Sequence, residues 1–367
     1  MRRICIFCEE WKSGGIESFI YTLLTHVDLT DLEVDIVAEH IEKSVFTMKL
    51  KGRAVFRELS GSTKNIIRNY AIFSKIMEER KYDVLHLNVF QALPLIYLPL
   101  AKRKGISVRI VHSHNAALRE SKAKVFKIWM HKAARSLFEK DATDLWACSK
   151  NAAQFMFSAS LLKEKSYSFI PNSIELERFR FDPAARDAVR KRLNLKNAFI
   201  IGNVGRLCYQ KNQSFLLDVL TQIRLTEPDT YLLLVGEGEL LAELKEKANR
   251  LCISDNVIFY GTSDCVEKML CAMDVFVFPS IFEGFGTAAI EAQAVGLPVV
   301  CSECIPPEAT ITECIYRLPL DVGAKRWSDA ILYARGYLSM GNPILKGYRE
   351  KFDIQVSSQR ILQFYQG

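Results

Sequence analysis

The stretch from Asp274 to Gly296 limits most tightly what this chain can fold into. Asp274-Val275-Phe276-Val277-Phe278 is a short apolar run rich in β-branched and aromatic residues, the pattern of a parallel strand buried on both faces. Pro279 to Gly286 read as a loop, and Thr287 to Val295 as a short, Ala-rich helix able to pack close to a sheet. Thr287 is the expected N-cap, while Gly296 and Pro298 stop the helix. Two carboxylates mark this unit, Glu283 in the loop and Glu291 in the helix. Open α/β sheets bind ligands at the carboxyl ends of their strands, and a carboxylate there can accept hydroxyl hydrogen bonds from a ribose or a sugar. The loop glycines admit close backbone approach, and the helix N-terminus favours an anion. Spacing alone leaves the plainer alternative open, two solvated carboxylates beside a tight turn.

The wording of the segment narrows the choice. Phe282-Glu283-Gly284-Phe285-Gly286, then Glu291-Ala292 and Gly296-Leu297-Pro298-Val299-Val300, resembles the Glu-x7-Glu segment of family 4 retaining glycosyltransferases. That resemblance implies an α/β protein of the GT-B fold, two Rossmann-like domains facing across a cleft, with a C-terminal helix that crosses back to the first domain. The implied division is residues 1–172 together with 348–367, and residues 173–347 as the nucleotide-sugar-binding domain.

The bulk properties agree with a globular protein. The chain has 367 residues, 49% hydrophobic and 25% charged, which suits two ordinary domains. No run reaches the ~20 apolar residues of a membrane span. Met1-Arg2-Arg3 leads directly into strand-like Ile4 to Cys8, with no signal-peptide pattern, so a cytoplasmic location is expected. The ten cysteines are expected to be reduced thiols. Cys5 and Cys8 fall on opposite faces of a strand, and Cys301/Cys304 has no partner pair nearby, so no metal site is expected. The net charge is +7, divided unevenly: through residue 180 there are 29 Lys+Arg against 20 Asp+Glu (+9), and beyond it 20 against 22 (−2). A basic first half suits an anionic surface or substrate.

In chain order, residues 2–8 read as a strand, and Ile16, Phe19, Ile20, Leu23, Leu24 and Val27 line one face of a helix. Gly14-Gly15 between them form a glycine turn at a helix N-terminus, a place where a phosphate can approach. Residues 32–38 form a second strand, and 43–80 read as helix and loop. Strands at 83–88 and 107–115 place His86, His112 and His114 near strand ends. Residues 118–140 form a basic amphipathic helix with Phe126, Trp129, Met130 and Leu137. Its apolar stripe belongs either in the core or against anionic lipid headgroups. Nucleic acid is disfavoured, because the interleaving of aromatic and basic residues is confined to this helix. Ile170-Pro171-Asn172-Ser173 resembles the family's Pro-Asn-Gly segment, with Ser173 in place of glycine. Gly205-Arg206-Leu207 to Gln210-Lys211 sits on a strand-to-helix loop. Arg offers a planar fork and Lys a compact charge, a pair suited to a diphosphate. Strands at 230–235 and 256–261 follow, with glycines expected to leave room for a nucleotide base, and 348–365 is helical in pattern.

The resemblance assigns roles. Arg206 and Lys211, with the backbone at Gly14 and Gly15, hold the donor diphosphate. Glu291 takes the ribose hydroxyls, and Glu283 the donor sugar, aided by the loop Gly284, Phe285, Gly286 and Thr287. His112 or His114 contacts the donor sugar near the reacting carbon, and the spacing leaves both open. The implied reaction is retaining, by front-face displacement in which the acceptor hydroxyl gives its proton to the departing phosphate. Its substrates are a UDP-linked sugar and a lipid-linked or oligosaccharide acceptor of capsule or exopolysaccharide assembly, with no cofactor or metal. The location is the inner face of the cell membrane. A GT-B nucleotide-sugar 2-epimerase and a non-catalytic partner subunit are the alternatives.

Overall fold

The computed structural model describes residues 1–11, 14–39, 41, 45–60, 65–118, 124–337 and 347–367. The chain divides into two compact units, Met1–Ile174 with Glu350–Gly367, and Glu175–Arg349.

The first unit carries β1 (Arg2–Cys8), β2 (Leu32–Ala38), β3 (Val55–Glu58), β4 (Val84–Val89), β5 (Val108–Ser113), β6 (Asp144–Ala147) and β7 (Ser168–Phe169). Among the described residues these form one parallel sheet in the order β3-β2-β1-β4-β5-β6-β7. Strand order reverses beside β1, which creates the switch point where open sheets hold ligands. Ile4, Ile6 and Cys8 of β1 pack under the helix Gly15–His26 and the terminal helix Ile354–Gln366. That terminal helix lies in the first unit, and Tyr365 and Ile361 are buried in its core. The expected single helix over 348–365 is two pieces, Arg349–Phe352 and Ile354–Gln366, because Asp353 caps the second by accepting from Gln355 N.

The second unit carries β8 (Phe199–Val204), β9 (Thr230–Val235), β10 (Val257–Gly261), β11 (Val275–Phe278), β12 (Val299–Ser302) and β13 (Ile315–Leu318). Their order is β10-β9-β8-β11-β12-β13, again all parallel. Here the reversal falls between β8 and β11, directly beneath the two loops singled out from the sequence. The core on one face joins Leu216, Leu220 and Ile223 of the helix Gln213–Ile223 to Trp327 and Ile331 of the helix Gly323–Arg335.

Three expectations change. Residues 43–80 contain a strand, β3, besides helices, and β13 was not anticipated. Both are edge strands with half-exposed side chains, so neither shows a continuous apolar run. Of residues 118–140, the helix spans Lys124–Phe138, and 119–123 lie outside the described residues. Its large apolar side chains are not core: Phe126, Trp129 and Leu137 are 60%, 65% and 71% exposed. In addition, Gly236 and Gly238 have a packing role within the unit. A side chain on either would fall 2.2 Å from the carbonyl oxygen of Gly205 or Leu207, so these glycines let two loops of the same unit press together.

Candidate active site

In the second unit, the loops after β8 and β11 are sewn into one surface. Ile281 N donates to Gln210 O (2.8 Å), Gln210 Nε2 to Phe282 O (3.0 Å), and Asn212 Nδ2 to Pro279 O (3.3 Å). Asn212 takes the left-handed conformation (φ 54°) to start the helix Gln213–Ile223. The fully buried Gln213 reaches back, donating to Arg206 O (2.9 Å) and Asn203 Oδ1 (3.3 Å). On this frame Lys211 Nζ meets Glu283 Oε1 at 2.6 Å and sits 4.6 Å from the centre of the Phe278 ring. The carboxylate is buried and the ammonium mostly so, which makes this the paired charge that a desolvated site requires. Arg206 is half-buried, and its guanidinium has no ion-pair partner among the described residues.

The helix Thr287–Val295 begins differently from expectation. Its N-cap is Gly286 (φ 86°, ψ 50°), and Thr287 is the first helical residue. A side chain at Gly286 would meet Ile305 at 3.2 Å in a backbone region disfavoured for other residues. Gly284 and Phe285 are buried beneath the turn. Gly296 ends the helix in the left-handed conformation (φ 91°). The buried Gln293 fixes the helix, donating to Ala309 O (2.8 Å) and accepting from Ile311 N (2.9 Å). Glu291 is only partly exposed, and desolvation pushes its carboxyl up to about 7, against the pull of Arg178 and Lys211. Arg178, absent from the sequence reading, donates to Glu267 Oε2 (3.1 Å) and Asp264 O (2.8 Å). Cys304 donates to Ser280 O at 3.0 Å, and burial raises its thiol to about 11.

In the first unit the histidines form a buried stack. The His86 and His112 rings are 5.5 Å apart and nearly parallel, those of His112 and His114 are 3.9 Å apart, and Trp146 lies edge-on to the first two. His86 meets the Tyr365 hydroxyl at 2.6 Å, which ties it to the terminal helix. His112 is fully buried, with Nε2 3.0 Å from Ile170 O. His114 reaches the edge of the stack, its Nδ1 3.0 Å from the amide of Asn172 and its Nε2 3.0 Å from that of Asn88. Desolvation holds all three below the usual histidine range, His114 at about 3. Asn172 lies beside Gly15, and Phe19 of the same helix packs on the His112 and His114 rings. Gly14 N-caps the helix without a side-chain hydrogen bond, and the carboxylate of Glu17 folds back over it. Gly15 is exposed. Farther along the same sheet edge, the buried Glu9 accepts from Phe90 N (3.2 Å) and Gln91 Nε2 (2.7 Å), and desolvation raises it to about 8.

Residues 13–178 match the model of Glycosyltransferase Family 4, and 185–331 that of Glycosyl transferases group 1. The chain belongs to the family 4 glycosyltransferases. It is 27% identical over 342 residues to the putative glycosyltransferase EpsF of Bacillus subtilis, covering 91% of this chain and 88% of that protein. It is 28% identical over 232 residues to the UDP-Gal:alpha-D-GlcNAc-diphosphoundecaprenol alpha-1,3-galactosyltransferase of Escherichia coli, covering 62% of this chain and 59% of that one. In fold it matches Anabaena HepE, solved with UDP-glucose, over the whole of both chains (TM-score 0.81, 19% identity). No described helix is long and apolar enough to cross a membrane.

The structure brings together Glu283 and Lys211, 72 residues apart in sequence, and sets Arg206 on the same loop as Lys211. The sequence reading gave no role to Asn88, Asn172, Gln210, Gln213 or Gln293; Asn172 and Gln210 carried a signal, their places in the Pro-Asn-Ser and Gln-Lys segments.

Proposed function

We propose that this glycosyltransferase moves a hexose, with retention of configuration, from a UDP-linked donor to a lipid-linked sugar or glycan in capsule or exopolysaccharide assembly. The observation that carries the reading is the Lys211–Glu283 pair, buried against Phe278 beside the unpaired Arg206. These two cations take the growing charge of the leaving diphosphate, so no divalent metal is required, and fixed charges of this kind are often the largest catalytic term. Glu291 accepts the ribose hydroxyls and Glu283 the donor sugar, over the loop Gly284 to Thr287. In the first unit the exposed Gly15 N–H, with Gly14, assists at the diphosphate. His114 faces the donor sugar; His112, with no exposed atom, is too deep for it. Retention without an obvious nucleophile points to front-face displacement, the acceptor hydroxyl passing its proton to the departing phosphate. The E. coli relative, named for a UDP-Gal donor and a GlcNAc-diphosphoundecaprenol acceptor, supports the substrate classes.

The helix Lys124–Phe138 presents Phe126 and Trp129, stacked 6.2 Å apart, together with exposed Lys127 and Lys132. This combination supports a peripheral seat on the anionic inner face of the cell membrane. Incubation with UDP-sugars and a lipid diphosphate sugar acceptor tests the reading. A product heavier by one hexose, with the donor's anomeric configuration by NMR, is expected. An unchanged acceptor with every nucleotide sugar, or inversion, would contradict it.

A further inference from the structure

The helix Lys124–Phe138 has two unlike faces. Val125, Phe126 and Trp129 are exposed, while His131 and Ala134 are buried. The His131 ring lies on Phe155, 4.3 Å between centres, and meets two backbone groups. Ala92 N donates to its Nδ1 (3.0 Å), and its Nε2 lies 3.0 Å from Phe155 O. Ala92 N–H can only donate and Phe155 O can only accept, so one arrangement satisfies both: a neutral ring with its proton on Nε2. Burial lowers the pKa of His131, which keeps the ring in that form. The two contacts are not equivalent. Phe155 O also accepts from Arg135 Nη1 (3.2 Å), whereas Ala92 N has no second partner among the described residues.

Ala92 ends the loop that leaves β4 at Phe90, and precedes the helical turn Leu93–Ile96. Glu9 holds the loop from its other side, accepting from Phe90 N and Gln91 Nε2. The end of β4 adjoins the candidate site: His114 N donates to Val89 O (3.1 Å), and the Asn88 amide lies 3.0 Å from His114 Nε2. His131 therefore joins the helix that presents Phe126 and Trp129 to the loop beside His114.

We propose that His131 is a positioning residue for the acceptor, coupling the seat of the helix Lys124–Phe138 on an anionic membrane to the loop Phe90–Ala92 at the edge of the site. A nucleotide sugar arrives from water, but a lipid-linked acceptor arrives from the membrane. The loop that the membrane-facing helix grips is the one placed to receive it, with the exposed Phe90 at its start. The coupling rests on the reading above for the membrane seat and the lipid-linked acceptor; the contacts of His131 stand without it.

The test compares the full-length wild type with His131→Leu and His131→Asn, by flotation, amide hydrogen exchange and transfer kinetics on vesicles of phosphatidylglycerol and phosphatidylcholine. His131→Leu leaves Phe155 O its bond from Arg135 but strands the buried Ala92 N–H; His131→Asn puts Oδ1 where Nδ1 stood. All three proteins should float with the vesicles, because the outward face of the helix is untouched. Exchange at Phe90–Ala92 should slow on vesicles in the wild type and not in His131→Leu. In His131→Leu, KM for a vesicle-bound lipid diphosphate sugar should rise ~10-fold, the scale of one buried donor left unpaired, at unchanged KM for the UDP-sugar. His131→Asn should restore most of that loss. Equal changes in both KM values, no rescue by His131→Asn, or loop exchange unmoved by vesicles that bind would overturn the proposal. If His131→Leu does not fold, the wild-type exchange and His131→Asn still decide. A wild type that does not float removes the membrane seat and the coupling together. A wild type whose loop responds to vesicles but that transfers no sugar would sink the functional reading and leave the coupling of helix and loop standing.

Discussion

The two units carry opposite electrostatics at the edges of their sheets. In Glu175–Arg349 the polar groups at the switch point are charged: Lys211 against Glu283, Arg206 without an ion-pair partner among the described residues, and Glu291 within reach of Arg178 and Lys211. Two loops cross-linked through Gln210 and Asn212, the first braced from within by Gln213, hold them. In Met1–Ile174 with Glu350–Gly367 the polar groups at the sheet edge are buried and neutral. Burial keeps His86, His112 and His114 as neutral imidazoles at neutral pH, and Glu9, raised to about 8, mostly keeps its proton. On the proposed reading, fixed positive charge in the second unit suits a leaving diphosphate, and the neutral edge of the first unit suits a sugar.

The largest way to break this contrast is to remove its charge. Lys211→Ala should lower kcat ~10²- to 10³-fold, as for loss of one preorganised electrostatic donor. It also leaves Glu283 buried without a partner, so steady-state kinetics should be read beside a melting curve. His114→Gln keeps an amide in a neutral wall and should cost less in kcat than Lys211→Ala. An equal loss would erase the distinction between the units.

Gly286→Ala should cost ~1–2 kcal/mol from the left-handed N-cap conformation, read as a lower denaturant midpoint at unchanged slope. Glu9 sharpens the neutral side. Its folded value lies above that of an unfolded Glu, ~4.3, so the native state holds a proton that the unfolded state has released. Stability should therefore be fullest below that value and fall as pH rises toward about 8. Glu9→Gln should flatten that slope in urea titrations between about pH 5 and 8.

The smallest effect concerns Glu291. Ribose hydroxyls need its ionised form, so nucleotide affinity should rise through about pH 7, and Glu291→Gln should abolish the rise. Calorimetric titration at several pH values checks it.

The legible parts of the fold were those whose energetics are local. β1, β2 and β9 match their apolar runs residue for residue, because a strand buried on both faces has no other composition. β3 and β13, half-exposed at sheet edges, carry no such run. Thr287 as N-cap followed capping preference, but a turn at positive φ passes the cap to Gly286. The spread of Gly236 and Gly238 along the chain could not show that they face backbone from another loop. At the site, the charged residues were singled out by the family resemblance of their two segments, since spacing alone left solvated side chains beside a turn open. The asparagines and glutamines that position them were not, since an amide's value depends on partners tens of residues away, as with Asn88, His114 and Asn172. The choice between His112 and His114 needed burial, which no spacing encodes.

The central claim, that the charged loops of the second unit bind a nucleoside diphosphate, is tested most directly by titration calorimetry with UDP. Wild type, Lys211→Ala and Glu291→Ala would be compared at pH 8, where Glu291 is ionised. The account predicts binding by the wild type, weakened at least ~10-fold in each variant, the loss expected of one charge-assisted hydrogen bond. No binding of UDP by the folded wild type, or equal affinity in all three proteins, would contradict it.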